Sequence, residues 1–238
     1  MNPFSRQTLA DIVTADHRTA SVLEKYQLDF CCKGKRALEE ACAEKGLSPQ
    51  QVSEELIAAT SAAPSPHLPF NEMSAGQLIS HIQVHHHFYV KQSMPQLCQH
   101  LEKVSMKHGS RFPYMNQVFT LFQMLRTEMT QHLQKEETVL FPAIREIERQ
   151  CTTGATQLRP ASMISRAMEV MESEHDEAGT IMENIRVLTT GYTEPEGACN
   201  TFRLSLAELK AFENDLHQHV HLENNILFPM ARNYVNQN

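Results

Sequence analysis

HLQKEETVLFP at residues 132–142 and HVHLENNILFP at residues 219–229 set the same residue types at the same spacing. In each, a His (His132, His219) is followed four residues later by a Glu (Glu136, Glu223) and, five further on, by Phe-Pro. An acid, Glu128 or Asp215, stands four residues before each His. Spacing of four puts the acid, the His and the Glu on one face of an α-helix. The two copies lie 87 residues apart, so the chain reads as an internal repeat of helical units.

Working outward, the apolar residues recur every three or four positions. One stripe runs Ile79, Val90, Met94, Leu97, Leu101, Val104, and a second Val118, Phe122, Leu125, Met129, His132, Glu136, Leu140. A third runs Ile164, Met168, Met171, His175, Ala178, Met182, Ile185, and a fourth Leu209, Phe212, Leu216, His219, Glu223, Leu227, Met230. Breaks bearing Gly and Pro fall near KHGSRFP, TTGATQLRP and TTGYTEPEG. Helices of about 30 residues, each about 45 Å long, joined by short loops, predict an all-α fold: an antiparallel four-helix bundle over residues 73–238. Ser74 with Gln77 forms the capping box that opens it. Pro142 and Pro229 are expected to kink or end their helices beyond the polar residues.

Upstream, short patterns around Leu9–Val13 and Ala20–Tyr26, then KGKRALEEACAEKG and SPQQVSEELIAATS, predict a small helical domain over residues 1–62. Ser48 and Pro49 suit the cap and first position of its last helix. Residues 63–72 carry Pro64, Pro66 and Pro69 and read as a linker.

Composition narrows the function classes. A net charge of −7 without a basic cluster argues against a nucleic-acid partner. The N-terminus has no apolar signal core and no run reaches membrane-spanning length, so a cytoplasmic protein with no membrane partner is expected. Six Cys without a secretory signal are expected to be reduced.

His132, Glu136, His175, His219 and Glu223 occupy stripe positions that otherwise carry Leu, Met and Ile. A Glu is rarely buried unless it is paired or ligates a metal. One such His–Glu pair would read as a hydrogen-bonded core His or a solvated surface pair. Two pairs in matched register, with a third His on another stripe, point to a metal. A fourth imidazole comes from His85, His86 and His87. Helical projection puts His85 opposite the stripe and leaves His86 and His87 equally near it. Four imidazoles and two carboxylates exceed one tetrahedral zinc site and lack thiolates. Two ions fit better, bridged by both Glu and by an oxo or hydroxo group. Nitrogen and oxygen donors with an open position suit a non-haem di-iron centre that takes dioxygen or nitric oxide, although zinc and manganese satisfy the same donor chemistry.

Taken together, the His-x3-Glu repeats, SEHDEAG around His175 and the four helical stripes resemble hemerythrin-like proteins. YQLDFCCKG, residues 26–34, resembles the ScdA-type domain that precedes them in iron–sulfur cluster repair proteins of the YtfE/RIC (repair of iron centres) type. The resemblance covers nearly the whole chain. It implies a cytoplasmic di-iron protein that restores clusters damaged by nitrosative and oxidative stress, with ligands on His87, His132, Glu136, His175, His219 and Glu223. Its implied partners are damaged iron–sulfur proteins or their scaffold, and nitric oxide or dioxygen. Oxygen-carrying hemerythrins use a fifth His where this chain has a second Glu, which argues against simple oxygen carriage.

Glu128, Glu174 and Asp215 are placed to accept the outward N–H of ligating histidines, or else are ordinary surface charges. Cys31 and Cys32 stand apart from Cys42, Cys98, Cys151 and Cys199. Their adjacency disfavours a stabilising disulfide, and a position at a helix start would favour a thiolate with a role in redox or iron transfer; a buried structural pair is the alternative. The small domain could pair with that of a second copy, giving a homodimer. Three functions fit: a repair protein that supplies iron or removes nitric oxide, an enzyme reducing nitric oxide at the di-iron site, and a scavenger or sensor binding nitric oxide or oxygen. Whether the chain is an enzyme stays open. The paired thiols favour repair.

Overall fold

Several helices start where the sequence supplies a side-chain acceptor for their unpaired amides. Thr8 Oγ1 accepts from the Asp11 amide at 3.1 Å to open α1 (Leu9–Ala15). Ser48 Oγ accepts from Gln51 ahead of α4 (Pro49–Ser61). Between them lie α2 (Ala20–Lys25) and α3 (Leu38–Glu44). The computed structural model describes residues 4, 6–61, 70–153 and 161–237. The expected linker falls largely outside the described residues, as does most of the TTGATQLRP break.

Ser74 and Gln77 complete their capping box at the start of α5 (Ala75–Ile82). The first long helix continues through a π-turn (Gln83–His87) into α6 (Phe88–His108). The second is α7 (Tyr114–Lys135), a π-turn (Glu136–Leu140) and α8 (Phe141–Thr153). The third, α9 (Ala161–Leu188), has no such turn. The fourth is α10 (Asn200–Leu222), a π-turn (Glu223–Leu227) and α11 (Phe228–Gln237). The fold is all-α; among the described residues the only bridge is the isolated pair Thr8 and Ala37. α5 packs on α8 and α6 on α7, start against end, which makes the first two long helices antiparallel; α6 also packs on α10 and α7 on α9. No helix among the described residues is long and apolar enough to cross a membrane.

Pro142 and Pro229 do not end their helices. Each follows a π-turn closed by a Phe amide, Phe141 to the Glu136 carbonyl and Phe228 to that of Glu223. A proline is tolerated there because it has no N–H to place where the bonding returns from the fifth to the fourth preceding residue.

Among the described residues the apolar interior is two clusters. One joins α1–α4 to α6, α7, α10 and the C-terminal half of α9, through residues such as Leu9, Phe30, Leu101, Phe122 and Phe212. The other lies among α5, α8, α11 and the N-terminal half of α9, around Ile79, Phe141, Met168 and Phe228. The polar stripe residues lie between them.

Glu148 on α8 ties the start of the first long helix to the end of the second. Its two oxygens accept from the Ala75 and Gly76 amides at 2.7 and 2.9 Å. Glu148→Ala should lower unfolding stability in a urea titration by about 1–2 kcal/mol, the cost of a lost helix cap. Removing Glu146, whose Arg149 partner is exposed, should shift the midpoint less.

Candidate metal centre

The three π-turns coincide with donor residues: His87 ends the first, and Glu136 and Glu223 begin the others. A π-turn widens the helix by one residue, re-aims the side chains around it, and often marks a functional position. His175 comes from the uninterrupted α9.

The structure brings His87, His132, Glu136, His175, His219 and Glu223 together, each at most 2% exposed. Their donor atoms form two sets within 4.8 Å: His87, Glu136, His219 and Glu223 in one, and His132, Glu136, His175 and Glu223 in the other. Both carboxylates belong to both sets. Glu136 Oε2 is 3.3 Å from Nε2 of both His87 and His132. Glu223 reaches His219 Nε2 through Oε1 and His175 Nε2 through Oε2, each at 3.1 Å. His85 is exposed, whereas His86 is buried beside the cluster and bonds Asp215 at 2.9 Å.

The arrangement fits a bound metal on its own geometry. The Nε2 atoms of His132 and His175 face each other at 3.1 Å. Two ligands about 2.1 Å from one ion and at right angles stand about 3 Å apart. Among the described residues, His87 Nε2 and both Glu136 oxygens are buried without a partner in hydrogen-bonding geometry. Such groups are costly to bury unless something positive compensates them.

Three of the four imidazoles are fixed from outside. His87 donates Nδ1–H to Glu137 at 2.8 Å, and Lys91 holds that carboxylate. His132 donates to Glu174 at 2.9 Å, and Lys135 also bonds that carboxylate. His175 donates to Asn224 Oδ1 at 2.8 Å. In the neutral imidazole that ligation requires, an N–H on Nδ1 leaves the Nε2 lone pair turned inward. Phe141 stacks on His87 and Phe228 on His175, closing the centre on one side.

Two of the expected outer partners differ. Glu128 is exposed, and Glu174 on the neighbouring helix takes the place expected of it at His132. Asp215 pairs with His86 rather than with His219, whose Nδ1 has no protein partner among the described residues. The reason is directional: an acid one turn away lies along the helix axis, whereas Nδ1 of an inward-pointing imidazole faces the adjacent helix. Glu137 and Asn224 were not singled out in the sequence, yet each directly follows the Glu of its repeat.

Burial raises the Glu136 and Glu223 carboxyls, but surrounding imidazoles outweigh it and keep both ionised, Glu223 well below the usual range. Burial lowers His87 and His132; Glu136, Glu223 and, for His132, Glu174 outweigh it and hold them at about 10 and about 9. Two imidazolium protons therefore neutralise two buried carboxylates at neutral pH.

Cys31 and Cys32 do not begin a helix. They lie in turns, and α3 starts only at Leu38. Asp29 Oδ1 accepts from the amides of Cys31, Cys32 and Lys33, groups that would otherwise favour a thiolate. The neighbouring Cys32 sulfur, burial and Asp29 push the Cys31 thiol well above its usual value, opposite to expectation. The pair docks on the bundle: Asn225, two residues after Glu223, donates to the carbonyls of Phe30 and Cys31. A β-carbon on Gly179, one turn after His175, would stand 3.8 Å from Cys32 Sγ.

Comparison with known proteins agrees with this architecture. Residues 78–231 match the hemerythrin HHE cation binding domain, and residues 5–60 match ScdA_N, a domain of unknown function. The chain is 34% identical over 228 residues to the iron-sulfur cluster repair protein YtfE of Pectobacterium carotovorum, covering 96% of this chain and 97% of that one. It is 32% identical to the Enterobacter protein of the same name, with the same coverage. A probable iron-sulfur cluster repair protein of Haemophilus influenzae is 33% identical over 231 residues, covering 97% of this chain and 98% of its own.

Glu174→Ala should weaken metal binding by about 10–100-fold, as loss of an outer partner does, while Glu128→Ala leaves it unchanged; competition against a chelator measures both. Metal uptake at pH 7 should expel about two protons per chain, because ligation needs the imidazoles unprotonated. Affinity should therefore rise with pH and level off above about 10, where His87 has lost its proton. Calorimetry in buffers of different ionisation enthalpy counts the protons.

Proposed function

This chain belongs to the family of iron–sulfur cluster repair proteins that join a ScdA N-terminal domain to a hemerythrin cation-binding domain, and we propose that it repairs damaged clusters with iron from a di-iron centre. His87 and His219 would hold one ion, His132 and His175 the other, with Glu136 and Glu223 bridging. The observation that carries this reading is the sharing of two fully buried carboxylates between two four-donor sets. Six imidazole and carboxylate donors suit two such ions better than one.

When bound, iron supplies a redox-active Lewis acid with room for a small gas such as nitric oxide or dioxygen. The chain's own residues set how firmly that iron is held. Glu137, Glu174 and Asn224 aim three imidazoles inward, and the phenylalanines dry one side of the centre. None of the six donors is a thiolate. Cysteine-rich acceptor clusters offer softer ligands, so iron as cargo has a thermodynamic reason to leave. Cys31 and Cys32, docked against Gly179 one turn after His175 and against Asn225 two residues after Glu223, would serve transfer rather than storage. Their place favours repair over gas sensing, which has no use for paired thiols.

The test loads the protein with labelled iron and mixes it with an enzyme whose iron–sulfur cluster has been damaged by nitric oxide. Recovery of that enzyme with label in its cluster is expected, and none with metal-free protein. Recovery without label would replace iron donation by nitric oxide removal. Equal repair by metal-free protein would remove the centre from the function altogether.

A further inference from the structure

The two halves of the centre are not held alike. His132 and His175 are both braced from outside, and so is His87. His219, fully buried, is the exception: its Nδ1 has no protein partner among the described residues. An imidazole fixed at one nitrogen only can turn away at lower cost than one fixed at both.

A cavity of about 440 Å³ lies between α1 and the bundle, with His17, His81, His85, His86 and His221 in its walls; it meets His219 through His86, whose ring stacks on it. His221 is tied to Thr14 and Asn225, and His17 packs against Phe70. The other three form a series leading inward. His81 and His85, one helical turn apart, have ring centres 4.3 Å apart. Two imidazoles at right angles on one ion have ring centres about 4.5 Å apart. His81 meets His86 edge to face at 5.9 Å, and His86 lies parallel to His219 at 5.7 Å and 7°.

We infer that this histidine-walled cavity is the exchange route for the ion of the His87–His219 half, with His81 and His85 as a transient chelating pair for a divalent cation. Two imidazoles with water completing the shell bind weakly enough to pass the ion on. The inference rests on the di-iron reading and adds that the two ions differ in lability.

The experiment follows transfer of ferrous iron, without oxygen, from loaded protein to a coloured ferrous chelator. Wild type should release two ions in two phases. The variant His81→Gln/His85→Gln should keep two ions at equilibrium but slow the fast phase on the order of tenfold, leaving the slow phase alone. Iron-loaded wild type should also take up one weakly held Co²⁺ that the variant does not. Helical content by circular dichroism confirms that the variant is folded. Two ions released with unchanged phases, or both phases slowed alike, would overturn the route while leaving the di-iron centre standing. A wild-type chain that holds no iron would overturn both.

Discussion

Two carboxylates with no access to solvent govern this structure. Glu136 and Glu223 are ionised, buried, and faced by imidazoles. Isolated charges in that position would destabilise the bundle heavily. The fold answers by placing four histidines from four helices around them. This polar layer separates the two apolar clusters, and each cluster presents aromatic or aliphatic surface to it.

The same layer laces the bundle at its four seams. His87 on the first long helix bonds Glu137 on the second, and His132 on the second bonds Glu174 on the third. His175 on the third bonds Asn224 on the fourth. The last seam is closed differently, by His86 of the first helix and Asp215 of the fourth. That arrangement leaves His219 without an outer brace among the described residues.

Much of this was legible in the sequence because helical stripes that bury Leu and Met report equally well on buried His and Glu. His175 stands among Met171, Ala178 and Met182 and needs no further signal. The choice between His86 and His87 was not legible, because a period of 3.6 residues stops applying inside a π-turn. The resemblance implied His87, and the structure places it in the donor cluster and His86 against Asp215. Glu137 and Asn224 were hidden because their partners lie on other helices, although their matched places in the repeat are a signal in hindsight. For Cys31 and Cys32, the Asp29 side chain captures the local amides, which no helical pattern reveals.

The π-turns also give the chain an uneven tolerance to change in length. Each inserts one residue into an otherwise continuous helix, and the wider turn takes it up so that everything beyond keeps its face. Deleting exposed Val139 would take that residue out again, so the helix could wind regularly with Phe141, Ile144 and Ile147 still facing their apolar cluster, while Glu136 and Glu137 inside the lost turn would be re-aimed. Replacing Val139 by a polar residue would cost little by comparison. A single-residue deletion in such a turn therefore strikes the buried donor residues rather than the apolar core, whereas a further insertion would rotate everything beyond it by about 100°.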